Sequence, residues 1–145
     1  MPNGCSTYGG NGRLKFHYLP HHITHAASTF LVSPFEDAAI LILDAVGERA
    51  STTLAVGQGN QIRILEQLVF PHSWGLFYAS MTDYLGFVPY NDEYKVMGLA
   101  SYGQPTYERQ MKDIVCTQAD GTYRLNMDYF KPTVPWTGPV QPAIL

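Results

Sequence analysis

The stretch AAILILDAVGERASTTLAVGQGNQIRILEQLVF, residues 38–70, decides the fold of this 145-residue chain. It opens with a nearly unbroken apolar run over 38–46, which is typical of a strand buried on both faces. Residues 51–59 and 61–70 alternate between apolar and polar side chains, as half-buried strands do. The pair Gly59-Asn60 suits a tight hairpin turn between them. The stretch therefore predicts an antiparallel meander of three adjacent strands, with Asp44 near its first turn.

A helix is predicted on each side of the meander. After Pro20, apolar residues follow the i, i+3, i+4 spacing of a helix until Ser33-Pro34, where the chain must leave the α region. Residues 73–87 begin with Ser73, a favoured N-cap residue. Their predicted apolar stripe consists of Trp74, Phe77, Tyr78, Met81 and Leu85.

The rest of the chain is predicted to hold short elements. Two helices are expected over 92–100 and 107–116, and a last strand over 122–130. The resulting order of helix, three strands, helices and strand indicates a mixed α/β fold without the strand–helix alternation of a doubly wound sheet. We expect a disordered or truncated start over 1–16, a folded part over 17–130, and a proline-rich tail over 131–145.

Composition excludes several functions. The net charge is −3 and no Lys/Arg run occurs, so the chain offers no nucleic-acid surface. No apolar run reaches about 18 residues, which argues against a membrane span. Two isolated cysteines, Cys5 and Cys116, favour a reducing cytoplasm. Charged residues make up 14%, below the usual share of about 25%, which suggests a face for another domain or a second copy.

Three of the five histidines lie in HHITHAASTFLVSPF, residues 21–35. His21 and His25 are four residues apart, so on a helix both rings project from one face and can reach one metal ion. Nitrogen ligands suit zinc and ferrous iron about equally. A zinc protease would need glutamate after the first histidine, where this chain has His22. The alternative, which spacing alone does not exclude, is that these histidines begin a helix and bind no metal.

Two further motifs are candidate phosphate contacts. In LDAVGERASTT, residues 43–53, a strand ends at Asp44 and turns through Gly47, a device that aims backbone N–H groups at an anion. In NDEYKVMGLASYG, residues 91–103, Lys95 could meet a phosphate or carboxylate. The alternative for the first motif is that Asp44 serves only the turn. The alternative for the second is that Lys95 forms an exposed ion pair.

Together these motifs resemble the amino-terminal domain of the O-carbamoyltransferases of nodulation-factor and antibiotic biosynthesis. HHITHAASTFLVSPF, ILDAVGERASTT, SWGLFYASMTDYLGF and EYKVMGLASYG follow the family's order and spacing over about residues 17–108. The resemblance implies an α/β fold that is part of an actin-like domain, as in sugar kinases and Hsp70-like ATPases. Two departures stand out, namely Ala45 where the family usually has glycine, and ASYG at 100–103 where it usually has APYG.

The resemblance implies a reaction. Family members make carbamoyl-adenylate from carbamoyl phosphate and ATP, with Mg²⁺, in a second domain. The actin-like domain then transfers the carbamoyl group to a hydroxyl of a small molecule, often a sugar.

The resemblance also implies roles for individual residues. His21 and His25 fall on the family's metal pair, usually taken to bind iron. Asp44, Gly47 and Glu48 fall on a loop that faces the nucleotide, and Lys95 falls in the family's EYKVMGLA segment. His22 is a candidate general base by nearness.

The resemblance implies that this chain is a fragment. We expect the family's phosphate loop to precede Met1 and its late metal-binding aspartate to follow Leu145, so that the chain alone is inactive. One alternative is a non-catalytic remnant that binds a nucleotide or a partner chain. Another is a fragment of a sugar kinase or Hsp70-like ATPase, which leaves the histidine pair unexplained.

Overall fold

A computed structural model describes residues 17–130. The predicted start over 1–16 and tail over 131–145 lie outside the described residues. The elements in chain order are α1 (His21–Phe30), β1 (Asp37–Gly47), β2 (Ala50–Gln58), β3 (Gln61–Val69), α2 (Trp74–Tyr84), α3 (Glu93–Ala100), α4 (Glu108–Ile114), β4 (Val115–Thr117), β5 (Tyr123–Leu125) and a 3-10 helix (Met127–Tyr129). None of the helices in this part of the chain is long and apolar enough to cross a membrane.

The predicted meander is confirmed. β1, β2 and β3 lie in that order in one antiparallel sheet, with Ile40 opposite Ala55 and Leu54 opposite Glu66. Gly59 has a φ of 56°, the left-handed conformation that a two-residue hairpin turn demands. The pairing of β1 with β2 shifts register between Leu43 and Gly47. This bulge re-aims the end of β1, where Asp44 lies.

Helix α1 covers one face of the sheet. Its buried residues Ala26 and Phe30 pack against Ile40, Ile42 and Ala55. The helix and the strands can approach closely because Gly57 has no side chain. A Cβ atom there would lie 2.5 Å from the Phe30 ring.

The prediction that β1 is buried on both faces is wrong for the described part of the chain. Leu41 and Leu43 are 60% and 53% exposed. β1 is an edge strand of its sheet, and α1 packs against only its Ile40 and Ile42 side. An apolar run by itself cannot tell which of its faces another element will cover.

Helix α2 begins as predicted, and its apolar stripe is only partly right. The Ser73 hydroxyl accepts a hydrogen bond from the Leu76 N–H at 3.1 Å. Phe77 is buried, whereas Leu85 is exposed and the helix ends at Tyr84 rather than Phe87. The remaining buried residues of α2 are Leu76, Ala79, Ser80 and Thr82. The two hydroxyls can be buried because each donates to the carbonyl four residues earlier.

A second apolar cluster joins α2 to the C-terminal elements. It contains Phe77, Val115, Tyr123, Leu125 and Phe130. The predicted last strand is shorter than expected because the Asn126 side chain accepts the Asp128 N–H and starts a 3-10 helix.

One strand was missed in the C-terminal part. β4 lies at the end of the region predicted as a helix over 107–116. Val115 and Cys116 leave α4 to pair with Leu125 and Arg124.

Candidate metal site

Helix α1 presents two imidazoles to the same point. It begins directly after Pro20, so His21 lies in its first turn and His25 one turn later. The two rings meet edge to face with centroids 4.5 Å apart, and their Nε2 atoms are 2.9 Å apart. The prediction that both histidines project from one face of a helix is therefore confirmed.

Asp44 joins the histidine pair from β1. Its Oδ2 atom lies 2.7 Å from Nε2 of His21 and 3.7 Å from Nε2 of His25. Its Oδ1 atom accepts the Ala45 N–H at 2.7 Å, which holds the carboxylate in place. His21, His25 and Asp44 each offer one ligand atom, and these atoms lie within 4.8 Å of one another.

The spacing of the three atoms fits one shared ion. Ligands on neighbouring corners of an octahedron with bonds of about 2.1 Å lie about 3.0 Å apart, and those of a tetrahedron about 3.4 Å apart. The observed separations of 2.7, 2.9 and 3.7 Å bracket both values. The side chains of His21, His25 and Asp44 are 43%, 50% and 28% exposed, so solvent reaches all three.

The electrostatics of Asp44 favour its charged form. Partial burial by itself would raise the pKa of this carboxyl group. Hydrogen bonds from the His21 ring and the Ala45 N–H, together with the charges of His21 and His25, outweigh that effect, and the pKa of Asp44 is lowered. A carboxylate between two imidazoles is a donor set for a divalent cation.

Sequence reasoning assigned Asp44 to the nucleotide and expected the third metal ligand beyond Leu145. The structure instead brings Asp44 to the histidine pair within this chain. The local signal for this role was ambiguous, because an aspartate at a strand end can serve a metal ion and is also an ordinary turn residue. Its place beside His21 depends on how α1 packs on β1.

Gly47 lets the histidines lie against the β1–β2 hairpin. A Cβ atom on Gly47 would lie 2.5 Å from Cδ2 of His21, and 2.6 and 2.8 Å from Cδ2 and Nε2 of His22. Gly75, in the first turn of α2, similarly lets the helix approach the backbone of Ala45, whose N atom would lie 2.8 Å from an added Cβ. Both glycines are therefore required by close packing around Asp44.

The left-handed position of the hairpin is Glu48, with a φ of 63°, and not Ala45. Alanine in place of the family's usual glycine at 45 is therefore free of the backbone strain that a left-handed conformation would impose. The Glu48 carboxylate accepts a hydrogen bond from the Tyr18 hydroxyl. That bond, together with burial and the negative charge of Glu48, raises the pKa of Tyr18.

Glu48 also borders a cavity of about 240 Å³ at the end of the hairpin. The cavity is lined by Val46, Glu48, Arg49, Val69 and Phe70. Three of these five residues are apolar, and Glu48 and Arg49 are charged.

His22 points away from the candidate metal ligands into the protein. It is 3% exposed, and its Nδ1 atom lies 2.6 Å from the Thr53 hydroxyl of β2. Burial lowers the pKa of His22, and the nearby charges of His21 and His25 lower it further, against the opposing effect of Asp44. Its role as a general base stays a prediction.

Lys95 lies on α3, a separate element from the metal candidates. Its amine is 2.8 Å from the Asp92 carboxylate, in a pair whose lysine is 44% exposed. Within residues 17–130 the structure gives Lys95 no hydrogen bond or ion pair with His21, His25 or Asp44. The predicted phosphate contact of Lys95 stays a prediction.

Comparison with known proteins identifies the family of this chain. Residues 9–135 match the family described as carbamoyltransferase N-terminus. The chain belongs to this family.

Three relatives illustrate the relationship. An uncharacterized protein of Synechocystis sp. is 52% identical over 76% of this chain. The nodulation protein NolNO of Sinorhizobium fredii is 40% identical over 83%, and the nodulation protein NolO of Bradyrhizobium diazoefficiens is 39% identical over 80%. The chain spans 18%, 18% and 21% of the lengths of these three proteins.

Proposed function

We propose that this chain is part of an O-carbamoyltransferase that moves a carbamoyl group from carbamoyl-adenylate to a hydroxyl of a small molecule. The observation that carries the proposal is the convergence of His21, His25 and Asp44 in a chain of the carbamoyltransferase N-terminus family. The nodulation proteins among its relatives support the same class of reaction. An actin-like fold for the complete domain belongs to this proposal.

The three side chains would hold a divalent metal ion. Two histidines and one carboxylate that leave other positions open are the ligand set of many ferrous sites, so iron is the ion we propose. When bound, the ion supplies Lewis-acid polarisation of an oxygen of the donor. Glu48 lies in the turn between β1 and β2 and, with Gly47, is the proposed contact for the nucleotide.

In the proposed reaction, the acceptor oxygen bonds to the carbamoyl carbon and the bond from that carbon to the AMP phosphate oxygen breaks. AMP leaves with that phosphate oxygen, and the acceptor hydroxyl gives up its proton to water as the new bond forms. Carbamoyl-adenylate would be made from carbamoyl phosphate and ATP with Mg²⁺ by parts of the longer relatives that this chain does not span. We therefore propose that the 145-residue chain alone has no transfer activity.

Metal binding tests the site. We expect the purified chain to bind one Fe²⁺ under anaerobic conditions, or one Co²⁺ as a spectroscopic substitute. His25→Ala and Asp44→Asn each remove a ligand and should abolish this binding, whereas His17→Ala should not change it. A wild-type chain that binds neither ion would refute the proposed site.

An activity assay tests the rest of the proposal. The chain is supplied with Fe²⁺, Mg²⁺, ATP, carbamoyl phosphate and a panel of sugars, and AMP and carbamoylated products are measured. We expect neither. Turnover that His25→Ala abolishes would show that the chain is active by itself.

A non-catalytic, partner-binding role is the second candidate. The observation that favours it is the exposed apolar row on β1, where Leu41 and Leu43 are 60% and 53% exposed. Apolar side chains in an edge strand are typical of a surface that another strand or chain covers. A chain that binds no metal but dimerises through this row, with dimerisation lost in Leu41→Lys, would favour this role.

A further inference from the structure

A row of hydrogen-bonded polar side chains runs from exposed Gln67 on β3, through buried Thr53 on β2, to buried His22 beside the proposed metal site. The Gln67 side-chain amide on β3 donates to the Thr53 hydroxyl oxygen at 2.9 Å. The same oxygen lies 2.6 Å from Nδ1 of His22. Thr53 and His22 are 1% and 3% exposed. None of these three residues is a candidate metal ligand.

Proton counting assigns the direction of these bonds. Gln67 occupies a lone pair of the Thr53 oxygen, which still has one hydrogen to donate. If that hydrogen goes to Nδ1 of His22, only the His22 Nε2–H group remains unpaired. The reverse direction would leave both the Thr53 hydrogen and Nε2 without partners, and each unpaired buried group is costly. Within residues 17–130, Nε2 of His22 is the one buried side-chain nitrogen or oxygen atom that has no hydrogen-bond partner.

The ring that Thr53 orients lies directly beneath the hairpin. The space that a Cβ atom on Gly47 would need is filled by the His22 ring, at 2.6 Å, and by the His21 ring, at 2.5 Å. Gly47 is three residues after Asp44 in β1. The position of the His22 ring therefore sets how closely the end of β1 approaches α1, and with it the separation of Asp44 from His21 and His25.

We propose that Thr53, held by Gln67, is a positioning residue for the metal site and acts through the His22 ring and Gly47. The inference rests on the proposed metal site and extends it to residues that touch no ligand atom. It predicts that a single buried hydroxyl on β2 controls metal affinity. Residues that orient metal ligands from outside the coordination sphere typically change affinity by about 10–100-fold when they are lost.

The test compares three variants of the full chain. Thr53→Val keeps the shape of the side chain and removes the hydroxyl, and Thr53→Ser restores the hydroxyl. Thr52→Val is the matched control, because Thr52 is the neighbouring buried threonine and bonds to the Tyr123 hydroxyl instead. The readouts are the Co²⁺ dissociation constant, the visible spectrum of bound Co²⁺, and the nitrogen NMR shifts that report the His22 tautomer.

We expect Thr53→Val to weaken Co²⁺ binding by about 10–100-fold, to alter the spectrum, and to abolish the Nε2–H preference of His22. Thr53→Ser should restore all three, and Thr52→Val should lose stability without changing them. If Thr53→Val does not fold, Gln67→Leu takes its place. Gln67 is exposed, and the substitution removes the hydrogen bond that Gln67 donates to Thr53. It should also weaken Co²⁺ binding.

Two results would overturn the inference in distinguishable ways. The first is a folded Thr53→Val variant that has the Co²⁺ affinity and spectrum of the wild type. If Gln67→Leu replaces Thr53→Val, the same result in Gln67→Leu counts. Either result would refute the positioning role and leave the proposed metal site intact. A wild-type chain that binds no Co²⁺ would refute both.

Discussion

At the scale of single residues, Gly47 carries a constraint that its position in a hairpin does not reveal. The left-handed φ in this hairpin belongs to Glu48, and Gly47 does not have one. Gly47 is needed because the His21 and His22 rings fill the space of a side chain. The requirement is one of packing between α1 and β1, and it applies only to this arrangement of the two elements.

Gly47→Ala is expected to weaken both the fold and the metal site. The added methyl group must displace the two rings, which should cost about 1–3 kcal/mol of unfolding free energy and weaken Co²⁺ binding about tenfold or more. Chemical denaturation and metal titration measure the two effects. Gly98→Ala is the control, because an added Cβ there meets nothing within 4 Å. Equal Co²⁺ affinity in Gly47→Ala and wild type would contradict the proposed packing.

His72 is a residue-scale source of pH dependence away from the metal site. Burial lowers its pKa below the ordinary value of 6.5, and the charge of Arg124 adds to this. Its Nδ1 atom accepts the Leu125 N–H at 3.2 Å, which requires an unprotonated nitrogen.

The direction of the pH effect follows from the lowered pKa. Above 6.5 the ring is neutral in both the folded and the unfolded chain. As pH falls below 6.5 the unfolded chain takes up a proton that the folded chain does not, so stability is lost through this window until the folded pKa is passed. We expect His72→Asn to lose less stability than wild type between pH 8 and 5 in urea unfolding. Parallel pH profiles would show that His72 contributes nothing.

At the scale of secondary-structure elements, Ser73 ties the start of α2 to the end of β1. Its hydroxyl accepts the Leu76 N–H and donates to the Ala45 carbonyl at 2.7 Å. Ser73 is fully buried, so water cannot replace either partner. One side chain thus caps the helix and joins it to the strand that carries Asp44.

Ser73→Ala is expected to destabilise the chain by about 2 kcal/mol, at the upper end of the range for a lost N-cap. The reason is that the substitution also leaves a buried carbonyl without its donor. Thermal and urea unfolding measure the change. Ser101→Ala, at the exposed end of α3, is the control and should change stability little. A similar small effect in Ser73→Ala would mean that α2 docks without this cap.

At the scale of the whole molecule, hydrogen bonds of the Tyr123 hydroxyl connect the parts of the chain that carry the two apolar clusters. The cluster under α1 supports the metal candidates, and the cluster around Phe77 holds the C-terminal elements. The Tyr123 hydroxyl lies between them, 2.8 Å from the Thr52 hydroxyl oxygen and 3.1 Å from the Trp74 N–H. The C-terminal hairpin is therefore bonded to both β2 and α2.

Tyr123→Phe is expected to cost about 1–3 kcal/mol of unfolding free energy, because the Trp74 N–H and the Thr52 hydroxyl lose a buried partner. Urea unfolding followed by Trp fluorescence measures this loss. Metal affinity should be unchanged, since Asp44 is held by His21, the Ala45 N–H and the Ser73 hydroxyl, and none of these groups bonds to Tyr123. Tyr107→Phe, at an exposed position, is the control. A drop in metal affinity with Tyr123→Phe would show that the two halves are coupled more tightly than these bonds imply.

The order of the elements could be predicted from local patterns. The period-two alternation of 51–59 and 61–70 is a property of extended backbone, and the His21 and His25 spacing is a property of a helix. Ser73 and Gly59 were recognisable for the same reason, since an N-cap and a left-handed turn place their demands on one residue at a time. The start of each of these elements lies within one residue of its predicted position.

The third member of the candidate site, Asp44, was decided only by tertiary structure. Asp44 reads locally as a turn residue, and it becomes a partner of His21 because α1 packs against β1. The same packing turns His22 into the sheet, where Thr53 holds it, and requires glycine at 47. The exposed side of β1 and the short β4 were likewise unpredictable, since each depends on which other segment lies beside the strand. Contacts between residues distant in sequence leave no local pattern, and the contact of Asp44 with His21 is one of them.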